Sequence, residues 1–138
     1  MKTRLNLVAS GIGAMLMMLG SAVAITDPEL DYRGLRYACT GLAAESRDDP
    51  RWQGYSTKLV FATASGSYLA NINVTIVDDT DLIVLEAHCD APWLMIDLAP
   101  GRYRVEAIAR HSISKSFDLT VPGGRQIEYT VRYQEIAN

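Results

Sequence analysis

The residues of this chain that could do chemistry are few: Cys39, Cys89, His88, His111 and an acidic turn at Asp78-Asp79-Thr80-Asp81. His88 precedes Cys89, and an imidazole beside a thiol is the minimal nucleophilic pair. Adjacent residues on a strand point to opposite faces, which sets that thiol and imidazole apart. As a general base, either histidine would also need an aligned partner. Each therefore reads first as a surface or turn histidine. The acidic turn offers hard oxygen ligands of the kind calcium takes, but it lacks the glycine and the distant glutamate of an EF-hand loop. With His88 and His111 alone to join the cysteines, a zinc site is not expected. No catalytic residue is assigned, no metal site or cofactor is implied, and an enzyme is not expected.

Other residue types suggest contact rather than catalysis. Arg102, Arg104 and Arg110 fall on one face of a strand and form either a solvated row, balanced by Glu106 and neighbouring acids, or a docking stripe. Trp52 and Tyr55 stand at the end of a charged segment, where they either pack that segment onto the fold or present a surface to a partner or ligand. Asn73-Val74-Thr75 matches the glycosylation sequon, but it lies within a strand, so it is discounted.

The ends of the chain set its compartment. Lys2 and Arg4 precede an apolar stretch, Leu5 to Gly20, and Ala22-Val23-Ala24 supplies the small residues of a signal-peptidase site. Residues 1–24 are expected to be a signal peptide, leaving roughly 114 residues, one domain's worth. Loss of the cations Lys2 and Arg4 takes the formal charge from −3 to about −5. With no basic cluster, that acidity argues against nucleic acid and against an anionic membrane surface. No membrane insertion is expected after cleavage, and the location is periplasmic or secreted. In an oxidising compartment Cys39 and Cys89 are expected to form a disulfide, the alternative being two separate buried thiols.

The elements that position these residues divide at about residue 56. Residues 25–56 are rich in charge, and Leu35, Ala38, Cys39, Leu42 and Ala43 recur at helical spacing, so a short helix is expected from about Gly34 to Ser46. From Thr57 the period changes to two. Strands are expected at 57–64, 71–77, 82–87, 93–98, 102–110, 114–121 and 125–133, punctuated by Ser-Gly, Asp-rich, Ala-Pro, Pro-Gly and Pro-Gly-Gly turns. About seven strands at near ten-residue spacing predict an all-β, antiparallel two-sheet sandwich with Greek-key connections over residues 57–138.

The succession KLVFATASGSYLANINVTI, DLIVLEAHCDAPWLMIDLAPGRYRVEA and FDLTVPGG, from about Lys58 to Tyr133, resembles the small secreted bacterial carboxypeptidase regulatory-like domain proteins. The strand–Pro-Gly–Tyr–strand block at Leu98 to Val105 is its most specific part. The resemblance implies a transthyretin-like, prealbumin-type sandwich. The chain departs from it after Arg110, where His111-Ser112-Ile113 replaces the usual glycine turn. Hydroxyisourate hydrolase, an enzyme of the same fold class, carries a closing Tyr-Arg-Gly-Ser signature. Here Tyr32-Arg33-Gly34 occurs near the other end, away from the strand that would present it. The resemblance thus implies a non-catalytic module of the bacterial envelope. The expected partner is another envelope protein, docked on the edge strands or on the N-terminal segment with Trp52 and Tyr55. The rival is a small-ligand or carbohydrate-binding module with Trp52, Tyr55, Tyr68 and Trp93 as its platform.

Overall fold

The computed structural model describes residues 27–110 and 113–134; the expected signal segment and His111 lie outside the described residues. The strands are β1 (Leu30–Tyr32), β2 (Leu35–Thr40), β3 (Thr57–Thr63), β4 (Ile72–Asp78), β5 (Ile83–Cys89), β6 (Trp93–Ile96), β7 (Gly101–Ile108), β8 (Ser114–Val121) and β9 (Ile127–Tyr133). The period-two segments appear as β3 to β9. In β4, for example, Ile72, Val74 and Ile76 are buried while Asn73 lies exposed on the opposite face.

The segment expected to be helical gives two strands instead. Leu35–Thr40 is β2, and helix is confined to one short turn, α1 (Ala44–Arg47), followed by a 3-10 turn at Pro50–Gly54. The reason is that one residue on the outer face of β2, Ala38, is apolar and covered. Leu35, Tyr37 and Cys39 pack against the main core, while Ala38 is fully buried on the other side. Leu35, Tyr37 and Cys39 alternate with exposed Arg36 and with Thr40, but apolar Ala38 between them, followed by Leu42 and Ala43, lets the same stretch fit a helical spacing. Arg33 and Gly34 (φ 50° and 91°) turn β1 into β2, the backbone a two-residue hairpin requires.

The strands form two sheets in a sandwich-like pair, one in the order β1-β2-β6-β3-β9 and one in the order β5-β4-β7-β8. Every pairing is antiparallel except β3 with β9, which run parallel from Thr57 opposite Ile127 to Thr63 opposite Tyr133. This corrects the expectation of a purely antiparallel fold. A connection spanning more than sixty residues, roughly, brings its strand back in either direction, whereas a short hairpin cannot. The Pro100-Gly101 turn joins β6 to β7 and so crosses from one sheet to the other. The Tyr103 hydroxyl clamps it by donating to the Ala99 carbonyl at 2.7 Å.

Between the sheets, Leu59, Phe61, Leu94, Ile96, Val131 and Tyr133 meet Ile72, Val74, Ile76, Leu85, Val105 and Ala107. The Cys39–Cys89 disulfide ties β2 to β5 across this core. A second cluster, Ala38, Trp52, Tyr55 and Met95, covers the outer face of the five-stranded sheet. Next to it the Trp93 ring lies under the Lys58 ammonium, 3.4 Å from its centroid. Gly41 (φ 88°) presses its backbone on the same ring, so that a Cβ there would fall 2.6 Å from Trp93 Cγ.

Two buried phenols link the fold to alkaline pH. Burial pushes the Tyr133 phenol up to about 12, and its hydroxyl donates to the Ala107 carbonyl at 2.7 Å. Tyr55 is raised as well, first by burial and then by its hydrogen bond to the Glu29 carboxylate. A phenol with a raised folded pKa contributes stability that is complete below about 10, its unfolded value, and lost as pH climbs through the folded one. Thermal melts between pH 8 and 12 are expected to show that loss, and Tyr133→Phe is expected to flatten it. An alkaline limb identical in the variant would remove Tyr133 from the linkage.

Candidate functional site

The structure disposes of the nucleophilic pair. Cys89 is fully buried in the disulfide, while His88 lies exposed with its Nδ1 2.8 Å from the Asn73 side-chain oxygen. The acidic turn is likewise committed to itself. Asp78 Oδ1 accepts from Thr80 N at 2.8 Å, Thr80 Oγ1 at 2.7 Å and Leu82 N at 3.0 Å. The Thr80 hydroxyl bond is the main reason its carboxyl sits below the usual aspartate range. The turn is thus an aspartate-capped connection between β4 and β5. Among the described residues no group of three or more His, Cys, Asp or Glu side chains is placed to hold a metal ion.

Of the five residues expected to form a partner or ligand surface, three are exposed. Arg102 and Arg104 project from the outer face of β7, and Arg104 Nε lies 3.5 Å from Asp118 Oδ1 on β8. Both side chains of that pair are largely solvated, so it contributes about 0–1 kcal/mol. Arg110 follows the far end of β7 and opens onto a different cavity, so the three arginines do not make one stripe.

Trp52 and Tyr55 must be moved from surface to interior, at 4% and 1% exposure. The outer face of the five-stranded sheet presents apolar Ala38 and Met95, and the two rings cover them. Trp52 Nε1 donates to Ser46 O at 2.6 Å, Tyr55 Oη to Glu29 Oε1 at 2.7 Å, and Gln126 Nε2 holds both their backbone carbonyls. Trp93 is buried too, so Tyr68 is the one exposed ring left of the four proposed as a carbohydrate platform. Those four rings therefore do not share a flat stacking surface.

What sequence reasoning did not single out is the asymmetry of the sheet edges. On one flank β8 and β9 close on each other, with Phe117 stacked on Tyr129 at 4.2 Å between centroids. On the other, seven-residue β5 has β4 as its sole strand partner among the described residues and touches β1 and β2 without pairing to them. Leu82 and Ile83 at its start are 61% and 40% exposed, and Leu30 of β1 is 41% exposed beside this flank. A groove of about 390 Å³ runs between them, lined by Tyr32, Leu35, Leu82, Ile83, Leu98 and Tyr103 among others. An edge strand with exposed apolar residues at its start is a template for an added strand.

Among the described residues no helix is long and apolar enough to cross a membrane. Comparison of the chain with protein-family models, with curated proteins and with solved structures returns no match.

Proposed function

We propose that this chain is a non-catalytic module of the bacterial envelope, exported by residues 1–24, that acts by adding an extended segment of another envelope protein to β5. The observation that carries the reading is the open β5 edge with Leu82 and Ile83 exposed at its start. The backbone of an edge strand supplies affinity through ladder hydrogen bonds, and the adjacent groove supplies side-chain selectivity. Two sheets around one core and the Pro-Gly crossover before Tyr103 support a transthyretin-like Greek-key sandwich of the carboxypeptidase regulatory-like kind. The disulfide supports a periplasmic or secreted location.

The test is crosslinking capture from the envelope fraction with three baits: the mature protein, Ile83→Lys, and Arg102→Ala/Arg104→Ala. A charge on an edge strand blocks strand addition, so a partner held by the first bait is expected to weaken at least about tenfold with the Ile83 variant. The arginine variant is expected to retain it. Capture that survives Ile83→Lys and falls with the arginine variant would move the interface to the outer face of β7.

A further inference from the structure

A second cavity, of about 410 Å³, opens at the end of the sandwich opposite the acidic turn. It lies where β3 and β9 end and β4 begins, so both sheets contribute to its floor. Ile72 and Tyr133, at 0% and 2% exposure, form that floor, and Leu69, Ala70, Ala109 and Ile113 line the walls. The volume is in the range of small-molecule sites, which are mostly apolar with a few polar groups that fix orientation.

The polar groups sit at the rim. Among the described residues Arg110 is the single charged one that lines the cavity, and no carboxylate accompanies it. Among the described residues Arg110 makes no ion pair. Asn71 joins it with a left-handed backbone (φ 61°), a conformation asparagine tolerates better than most residues. The wall that carries Tyr68 and Leu69 is already fixed. Leu69 N donates to Phe61 O at 2.9 Å, Thr63 N donates to Ser67 O at 2.8 Å, and the Arg47 guanidinium lies 4.8 Å over the Tyr68 ring. A wall held in place before binding adds little ordering cost to the association.

We propose that this cavity binds a small amphipathic anion, an aliphatic or aryl monocarboxylate whose apolar body enters between the sheets while its carboxylate meets Arg110. An apolar floor with one cation at the mouth selects that combination over a neutral or a cationic ligand. This site is separate from the β5 edge and stands whether or not that edge docks a partner.

The probe is decanoate, titrated into isotopically labelled mature protein and followed by amide chemical shifts, with decanol as the neutral comparison. Decanoate is expected to bind with a Kd on the order of 10–100 µM and to shift Ile72, Ala109 and Tyr133. Arg110→Met, which keeps the apolar stem at an exposed position, is expected to weaken decanoate about tenfold and leave decanol unchanged. Ala109→Leu, which narrows the cavity, is expected to weaken both. Shifts confined to the groove beside Leu82 and Ile83, no shift up to millimolar decanoate, or equal binding of decanoate to the Arg110 variant would each overturn the proposal.

Discussion

Breaking the Cys39–Cys89 bridge is expected to lower stability by about 4 kcal/mol. The two cysteines are separated by 50 positions, and a cross-link closing a loop of that size removes entropy of this order from the unfolded chain. Single domains are stable by about 5–15 kcal/mol, so the loss is a large fraction of the whole. The bridge also joins the two sheets at one flank, where β1 is only three residues long and β5 has β4 as its sole strand partner among the described residues. Urea unfolding of the oxidised protein should be compared with Cys39→Ala/Cys89→Ala and with the reduced native sequence. The reduced protein keeps the side-chain volume, so its difference from the double variant isolates packing from cross-linking. A midpoint shift worth less than about 1 kcal/mol would mean that the sheets hold together without the covalent tie.

Trp52→Ala is expected to cost about 3–5 kcal/mol, the range for a buried tryptophan reduced to a methyl group. Trp52 covers Ala38 and Met95, meets the Tyr55 ring at 5.8 Å, carries the Arg51 guanidinium at 4.6 Å and donates to Ser46 O. Truncation exposes the outer face of the five-stranded sheet and leaves the Ser46 carbonyl without its donor. Trp52→Phe should restore most of the packing, leaving a deficit of about 1 kcal/mol for the lost hydrogen bond. Hydrogen exchange at β2 and β6 together with urea unfolding reads both. If stability falls by less than about 1 kcal/mol while exchange rises only in residues 41–56, the covering segment opens independently of the sandwich.

Legibility in the sequence followed the number of covered faces. Strands with one face on the core and one in solvent, such as β4 and β7, announce themselves by alternation: Tyr103, Val105 and Ala107 face inward and Arg102, Arg104 and Glu106 outward. β2 alternates too, with Leu35, Tyr37 and Cys39 inward, but Ala38 under the Trp52 layer breaks its polar set and gives the stretch a competing helical spacing. Trp52 and Tyr55 were ambiguous for the same reason, since the apolar face they cover is created by Met95 and Ala38 of other strands. The disulfide was legible from the count of two cysteines and the expected compartment. Strand order was not: β6 separates β2 from β3, and β9 returns to β3, and neither neighbour relation is written in a local turn. The two cavities also escaped notice, because each gathers residues from segments far apart in the chain.

The parallel pairing of β9 with β3 has a consequence for how the molecule is made. Seven residue pairs, Thr57–Ile127 through Thr63–Tyr133, place the last strand against the middle of the chain, so the contact order is high. The five-stranded sheet lacks an edge, and the core lacks Val131 and Tyr133, until those residues have left the ribosome. Folds dominated by such distant pairings acquire their structure slowly, after the entropy of closing a long loop has been met. Until β9 has been made, therefore, the five-stranded sheet stays incomplete and β3 is left as its edge.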